Sequence, residues 1–328
     1  MIALGIESTA HTIGVGIVDS NCKILANETA VYISEKGGIH PREAANFHCQ
    51  NVGKLIRKAK EKAGIQLGKV DIIAYSQGPG LGPCLRVGAT AARTLSLILS
   101  KPIVPVNHCI AHLEIGRKIC NVDDPVLLYV SGGNTQIISF ARGRYRVFGE
   151  TLDIGVGNLF DKFGREQNLQ FPSGPQIEKL AEKGKKFVPL PYSVKGMDVS
   201  FSGILTACIA LMKKERIEDI CHSLQETVFS MLTEVSERAM AHLNKNKLLL
   251  AGGVASNKRL REMVKEMVEA RDGKVFFPAY ELCVDNGAMI AWTGLEMYRC
   301  GMQGNVKNAT IKQRTRTDDV EVRWRNAF

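Results

Sequence analysis

The fold is decided by residues 2–18, which read IALGIESTAHTIGVGIV. Apolar residues alternate at Ile2, Leu4 and Ile6, a polar turn follows over residues 7–12, and apolar residues return over 13–18. This pattern predicts two strands around a short turn. Backbone amides in a polar turn between strands can hold a phosphate group.

A second copy of the pattern occupies residues 126–140, which read VLLYVSGGNTQIISF. Here the turn is Ser131-Gly132-Gly133-Asn134-Thr135, between an apolar strand and its returning partner. Identity between the two copies is negligible, so they predict a repeated architecture and not a repeated sequence.

The remaining segments alternate between strands and helices. We predict helices over 41–63, 85–99, 176–184, 202–215, 217–243 and 287–299, and strands over 70–75, 103–106 and 247–251. Tight glycine turns follow two of these strands, at residues 76–83 and 252–257, and each turn leads into a helix. Any one glycine loop is most simply a tight turn. However, three loops at matching positions predict a common cleft. They are the two hairpin turns, at residues 7–12 and 131–135, and the glycine turn at residues 252–257.

The predicted fold class is therefore α/β, with two lobes, an interlobe cleft and the actin-like ATPase (ASKHA) architecture. Residues 1–125 would form the N-terminal lobe. Residues 126–328 would form the C-terminal lobe, with nucleotide-binding loops, a final helix and a basic tail.

Composition limits the functional classes. The chain has 328 residues, of which 45% are hydrophobic and 23% charged, as in globular proteins. No apolar run reaches the ~20 residues that cross a bilayer, and the N-terminus predicts a strand and not a signal peptide, so we expect a cytoplasmic protein without membrane contact. Nine cysteines without a CxxC pair favour reduced thiols. A net charge of +10 favours polyanionic partners, although a dispersed lysine surface is the simpler explanation.

The histidine pair of residues 106–114, VNHCIAHLE, predicts a metal site. His108 and His112 are four residues apart, so on a helix they share one face and can bind one ion. A peptidase would carry a glutamate after the first histidine, where this chain has Cys109. Asp285, at a predicted helix start, is the candidate third ligand. The alternative is that both histidines are ordinary helix residues.

Several long motifs resemble those of the universal tRNA threonylcarbamoyladenosine synthase family, TsaD in bacteria, and specifically its archaeal and eukaryotic Kae branch. The motifs are GIE (5–7), SQGPGLG (76–82), NHCIAH (107–112), YVSGGNTQ (129–136), ETLDI (150–154), VKGMDVSFSG (194–203), SLQE (223–226), DNGAMIA (285–291) and QRTRTD (313–318). Together they run through most of the chain.

The resemblance implies an acyltransferase. Such an enzyme moves the threonylcarbamoyl group of threonylcarbamoyl-AMP to N6 of adenosine 37, in tRNAs that read codons beginning with A. It implies one divalent metal, iron or zinc, bound by His108, His112 and Asp285, with Tyr129 as a fourth contact. The loop Tyr129, Val130, Ser131, Gly132 and Gly133 would hold the acyl-adenylate, whose AMP-type nucleotide lies in the cleft. Asp161, Gly174, Glu178 and Asn257 match the adenosine-pocket positions.

The resemblance also implies protein partners of the KEOPS type, namely a small dimeric scaffold subunit and an atypical kinase subunit, besides tRNA. Glu7 and His11 are our candidates for the catalytic base. Ser173 stands where the family usually has a glycine, and Phe47 replaces a frequent histidine. His11 and Thr12 stand where the bacterial branch carries an acidic pair, so a bacterial-type carboxylate base is not expected here. The competing functional classes are a metal-dependent peptidase, a chaperone-like or kinase-like ATPase and a non-catalytic scaffold.

Overall fold

The computed structural model describes residues 1–34 and 38–325, which form two five-stranded sheets with helices around them. The first sheet contains β1 (Ile2–Glu7), β2 (Thr12–Asp19), β3 (Ile24–Val31), β4 (Ile72–Gly78) and β5 (Ile103–Asn107). Its helices are α1 (Pro41–Ala63), α2 (Gly82–Leu99) and α3 (His108–Ile119).

The second sheet contains β6 (Val126–Val130), β7 (Thr135–Ala141), β8 (Arg144–Glu150), β11 (Lys247–Ala251) and β12 (Lys274–Phe276). Between β8 and β11 lie α4 (Val156–Glu166), α5 (Gly174–Ala181), the short hairpin β9 (Val194–Lys195) and β10 (Asp198–Val199), α6 (Ser202–Leu211) and α7 (Ile217–His242). The chain continues with α8 (Lys258–Glu269), α9 (Tyr280–Cys283) and α10 (Gly287–Arg299).

The two sheets share one topology. Their strand orders are β3-β2-β1-β4-β5 and β8-β7-β6-β11-β12, so β6 corresponds to β1 and β11 to β4. In each sheet the first strand pairs antiparallel with its hairpin partner and parallel with the strand on its other side. The predicted repeat of architecture and the actin-like fold class are confirmed.

Helix α10 lies on the first sheet, although it follows the second sheet in the chain. A Cβ atom on Gly16 of β2 would lie 2.1 Å from the backbone nitrogen of Ala288, and one on Gly5 of β1 would lie 2.2 Å from that of Ala291. Only glycine allows so close a backbone approach. The lobe boundary between residues 125 and 126 stays a prediction. It assigns α10 to the C-terminal lobe, although α10 packs on the first sheet.

The basic tail crosses both lobes. The Lys312 amide donates to the carbonyl of Gln77 in the first lobe, and the Val322 amide donates to that of Gly143 in the second, at 2.8 and 2.9 Å. Val322 and Trp324 are buried in the core that the two sheets share. The predicted polarity of this segment thus conceals two apolar anchors near its end.

Seven of these elements were not among the predicted ones: the strands β3, β8, β9, β10 and β12 and the helices α4 and α9. Strand β3 is an edge strand with half-buried polar residues, so it lacks a clean alternation. Helix α4, by contrast, carries a readable signal, since Val156, Leu159, Phe160 and Phe163 repeat with helical spacing and are all buried.

Among the described residues, no helix is both long and apolar enough to span a bilayer. The cysteines in these ranges are all free thiols, and six of the nine are buried.

Candidate metal centre and the glycine loops beside it

The histidine pair stands at the start of α3, where β5 ends. The Asn107 side chain caps the helix by accepting a hydrogen bond from the Ile110 amide at 3.1 Å. His108 therefore occupies the first helical position, and His112 lies one turn later with its ring centroid 4.8 Å away. The predicted shared face is present.

Asp285 joins this pair from another part of the chain. It directly precedes Asn286, which caps α10 by accepting from the Met289 amide. Its Oδ1 lies 3.5 Å from Nε2 of His108 and 3.3 Å from Nε2 of His112. The three candidate ligand atoms all lie within 4.8 Å of one another.

The two Asp285 separations suit a shared ion. Two ligand atoms about 2.1 Å from one ion at a tetrahedral angle lie ~3.4 Å apart, close to both Asp285 distances. Burial acts to raise the pKa of Asp285, but the facing His108 and His112 rings outweigh it and hold the pKa well below its usual range. The carboxylate is thus ionised beside two imidazoles, which is a donor set that zinc and iron both accept.

Glu7, at the end of β1, orients His108. Its Oε2 lies 2.9 Å from Nδ1 of His108, and its Oε1 accepts from the amide and hydroxyl of Thr9 at 2.7 and 2.6 Å. Burial acts to lower the pKa of His108, but Glu7 and Asp285 outweigh it and raise the pKa to about 9. A carboxylate on Nδ1 directs the Nε2 lone pair towards the candidate ion, as outer-sphere partners of metal ligands do.

Tyr129, at the end of β6, lies against His112, with ring centroids 5.3 Å apart. Its hydroxyl is buried and has no hydrogen-bond partner within the described part of the chain. Burial raises the pKa of Tyr129 well above its usual value, with the neighbouring Cys109 contributing. An unpartnered phenol beside two histidines and an aspartate is a buried polar group that a bound ion would satisfy.

Glu114 does not serve this cluster. Its carboxylate accepts from the Tyr145 hydroxyl at 2.7 Å and from Nε of Arg117 at 3.1 Å. Burial raises the pKa of the Cys109 thiol to about 12, so that position carries no charged base. The water-activating carboxylate that a peptidase places next to its first histidine is therefore not supplied by α3.

The turn between β6 and β7 is held from behind by α4. The amides of Gly157 and Asn158 donate to the carbonyls of Ser131 and Gly132, at 3.1 and 2.9 Å. In a trans peptide the N–H points opposite to the C=O, so the amides of Gly132 and Gly133 point away from α4. Both glycines are exposed, and a Cβ on Gly133 would meet no atom within 4 Å. The loop offers outward amides to an anion.

The third glycine loop lies next to this turn. Gly252 has a φ of +93°, and a Cβ there would lie 2.3 Å from the carbonyl oxygen of Val130. A side chain at this position would separate the two loops. The two loops therefore lie side by side, and that they share one site stays a prediction.

The four adenosine-pocket candidates are linked through α4, α5 and α8. Asp161 accepts from the amide of Ser173, the residue before Gly174, at 2.8 Å. Glu178, one turn further along α5, accepts from the Lys258 amide at 2.8 Å.

Asn257 caps α8 through the Leu260 amide and donates to Oε1 of Gln225 at 3.0 Å. Burial raises the pKa of Asp161. Ser173 keeps the backbone hydrogen bond to Asp161, so this departure from the family pattern does not break the link.

His11, the second candidate base, packs edge-on against Phe171 with ring centroids 5.6 Å apart. Its Nδ1 is buried without a hydrogen-bond partner in the two described ranges. Sequence reasoning missed His48 of α1, which is fully buried with both ring nitrogens unpartnered among those same residues. Phe47 packs against Tyr32, with ring centroids 6.1 Å apart.

The architecture and the cluster define a two-lobed, actin-like protein with a candidate metal centre beside glycine loops. Solved structures show the same fold. HypF of Thermococcus kodakarensis superposes with a TM-score of 0.64 at 14% identity, covering 92% of this chain and 48% of that one. Component A of the (R)-2-hydroxyglutaryl-CoA dehydratase of Acidaminococcus fermentans gives 0.58 at 13% identity, covering 91% and 99%. At these identities the likeness concerns the fold alone.

The chain belongs to the TsaD family of tRNA N6-adenosine threonylcarbamoyltransferases, whose profile matches residues 23–292. The protein of that name in Thermococcus kodakarensis is 59% identical over 326 residues, covering 99% of this chain and all of the relative. A probable bifunctional tRNA threonylcarbamoyladenosine biosynthesis protein of Methanocaldococcus jannaschii is 57% identical over 325 residues, and this chain spans 60% of its length. The predicted family and its class, a transferase acting in tRNA modification, are confirmed.

Proposed function

We propose that the metal cluster and the Ser131–Gly133 loop form one active site, where threonylcarbamoyl-AMP reacts with adenosine 37 of tRNAs that read codons beginning with A. The observation that carries this proposal is the position of Tyr129. Its ring contacts His112, and its backbone leads through Val130 directly into the glycine loop. The side chain of Asn134 also donates to Sγ of Cys109 on α3 at 3.8 Å. Metal ligands and loop are therefore neighbours.

The loop would bind the phosphate of the donor. Gly132 and Gly133 direct their amides away from α4, because the carbonyls of the same peptide groups, on Ser131 and Gly132, accept hydrogen bonds from α4. Asp161 and Glu178 supply carboxylates suited to ribose hydroxyls, and the Asn257 amide suits an adenine edge. This arrangement supports an AMP-type nucleotide as the part of the substrate that the second lobe holds.

His108, His112 and Asp285 would hold one divalent cation, iron or zinc, with Tyr129 as a fourth contact. Bound there, the cation would supply Lewis-acid stabilisation of charge on the threonylcarbamoyl group. The chain's own contribution is orientation: Glu7 fixes the His108 ring, and the capped start of α3 fixes its backbone.

The donor is a mixed anhydride and is already activated, so positioning supplies much of the catalysis. N6 of adenosine attacks the carbamoyl carbon, the bond to the phosphate oxygen breaks, and AMP leaves. The nitrogen must also lose a proton to a base. Both oxygens of Glu7 are engaged by His108 and Thr9, whereas Nδ1 of His11 is unpartnered within the described residues. That nitrogen is itself buried, so both residues stay candidates.

We extend the proposal to the setting of the enzyme. The longer relatives are named bifunctional, which supports a second activity that works beside the transferase. KEOPS-type partners, a small dimeric scaffold subunit and an atypical kinase subunit, and a cytoplasmic location follow from the family resemblance. The net charge of +10 suits a tRNA substrate.

The test is a transfer assay. Purified protein, with and without candidate partner subunits, receives threonylcarbamoyl-AMP and unmodified tRNA, and nucleosides are analysed by mass spectrometry. We expect threonylcarbamoyladenosine at position 37, lost in Asp285→Asn. Product formation that survives Asp285→Asn and chelation would refute the metal assignment. ATP turnover without modified tRNA would favour the ATPase class.

A further inference from the structure

We propose that Asp153 is a positioning residue for the donor: its carboxylate ties the turn of residues 151–155 to the start of α6, and this turn sets the direction of the α4 amides behind the glycine loop. The inference rests on the proposed role of that loop in binding the donor. In this role Asp153 does not contact the donor and acts through the backbone of the turn.

Six hydrogen bonds converge on the Asp153 carboxylate, and one of them runs from the Thr151 hydroxyl to Oδ1 at 3.3 Å. Oδ1 accepts from the amides of Ile154 at 2.6 Å and Phe201 at 2.9 Å. Oδ2 accepts from the amide and the hydroxyl of Ser202, at 2.9 and 2.6 Å, and from the Phe201 amide at 3.1 Å. Although Asp153 is exposed, its pKa lies at about 2, because these hydrogen bonds outweigh the opposing effect of partial burial.

The other side of the turn is fastened to the strand that leaves the glycine loop. The Thr151 amide donates to the carbonyl of Thr135 at 2.9 Å, and the Val156 amide donates to its hydroxyl at 3.0 Å. The Thr151 hydroxyl closes the turn by donating to the carbonyl of Ile154 at 2.7 Å. The turn is thus held between Thr135, the first residue of β7, and the start of α6.

The backbone at the start of α4 packs so closely against the loop that no side chain fits between them. A Cβ on Gly155 would lie 2.6 Å from the carbonyl oxygen of Gly132, and one on Gly157 would lie 2.7 Å from its Cα. The two backbones touch directly, without side chains that could adjust. A rotation of the turn would therefore move the carbonyls of Ser131 and Gly132, and with them the outward amides.

The charge of Asp153 is required and not only its shape. Each of its two oxygens faces donors only, namely two amides and a hydroxyl. Asparagine is isosteric but presents an NH₂ in place of one oxygen. In either orientation it would set donors against donors, and the turn would have to open.

The test compares Asp153→Asn with Asp198→Asn. Asp198 lies on β10, and its Oδ1 accepts one hydrogen bond, from the Glu150 amide at 2.9 Å, which asparagine can keep. We expect Asp153→Asn to weaken AMP binding and raise KM for threonylcarbamoyl-AMP by about 10- to 100-fold, since displaced groups remote from the chemistry cost rates of this order. KM for tRNA, metal content and the Asp198→Asn values should stay unchanged.

Equal losses for donor, tRNA and metal in Asp153→Asn would reduce Asp153 to a structural cap and overturn the proposal. If that variant does not fold, Ser202→Ala removes one of the six hydrogen bonds and should raise KM for the donor severalfold with kcat retained. An unchanged KM in Ser202→Ala would then overturn it.

Amide NMR separates this proposal from the proposed function. In the wild-type protein, AMP should shift the Gly132 and Gly133 amide signals. No shift on AMP binding would refute the donor role of the loop, whatever Asp153 does. A shift in the wild type that Asp153→Asn abolishes, together with altered amide signals at Gly157 and Asn158, is the result that supports the positioning role.

Discussion

The two hairpin turns of the molecule occupy equivalent places, yet they expose opposite parts of the chain. The first turn, between β1 and β2, buries its polar side chains, and Glu7 and Thr9 are less than 5% exposed. The second turn, between β6 and β7, has no side chain at Gly132 and Gly133 and exposes its backbone.

This difference shows how one architectural repeat serves two kinds of recognition. A turn with inward carboxylate and hydroxyl groups can orient an imidazole, as Glu7 does for His108. A turn whose backbone amides point outward can bind an anion such as a phosphate. We therefore expect changes in the first turn to affect metal retention, and changes in the second to affect the nucleotide.

Asp285→Asn should have the largest effect, because it removes the negative charge of the candidate ligand that faces both His108 and His112. We expect transfer to fall by about 10³-fold and the bound metal to be lost, since metal-assisted catalysis contributes several kcal/mol. Activity and metal content per chain check this, with the exposed Glu281→Gln on α9 as control. His108→Ala is the poorer probe, because it also leaves the buried Glu7 carboxylate unpaired.

Gly157→Ala should raise KM for threonylcarbamoyl-AMP by about 10- to 100-fold while metal content is kept. The added Cβ would lie 2.7 Å from Cα of Gly132, so the loop must move. Gly203→Ala is the matched control, since a Cβ on that helical glycine of α6 meets nothing within 4 Å. A loss of metal in Gly157→Ala would contradict the expectation that the second turn affects only the nucleotide.

Glu7→Gln should weaken metal binding by about 10- to 100-fold, the usual effect of losing a partner behind a ligating histidine. Metal competition with a chelator measures this. AMP affinity in the same protein should be unchanged, and an equal loss of both would show that the first turn also supports the nucleotide.

The smallest effect concerns the ion pair between α7 and α8, which contacts neither turn. Nε of Arg259 lies 2.7 Å from Oε1 of Glu226, and this hydrogen bond, opposed by burial, lowers the Glu226 pKa. A lowered carboxyl pKa adds stability above the ordinary pKa, and that stability is lost as pH falls through the lowered value. Glu226→Gln should cost about 0.5–1 kcal/mol at neutral pH, discounted for exposure, and nothing once Glu226 is protonated in both states. Denaturant titration at two pH values checks this.

The sequence predicted that His108, His112 and Asp285 lie together, but not the contacts that orient them. The helical spacing of His108 and His112 is local, and Asp285 could be named because it stands at a recognisable helix start. The contact of Glu7 with His108 could not be predicted, since it joins the end of β1 to the start of α3, two points far apart in the sequence.

The missing strands have a similar cause. Strand β8 lies at the edge of its sheet, where a half-exposed sequence keeps no strict alternation. The path of α10 onto the first sheet depends on Gly5 and Gly16, and glycine in a strand signals a close approach without naming what approaches. Helix α4 is different, because the spacing of its apolar residues did predict a helix and was overlooked. Recognising α4 would also have pointed to the element that supports the glycine loop.

The most direct test of this account measures metal content and AMP affinity in the same preparations of Glu7→Gln and Gly157→Ala. The account predicts a crossed result: Glu7→Gln loses metal and keeps AMP binding, whereas Gly157→Ala keeps metal and loses AMP binding. Parallel losses of both in either variant would contradict the assignment of separate tasks to the two turns.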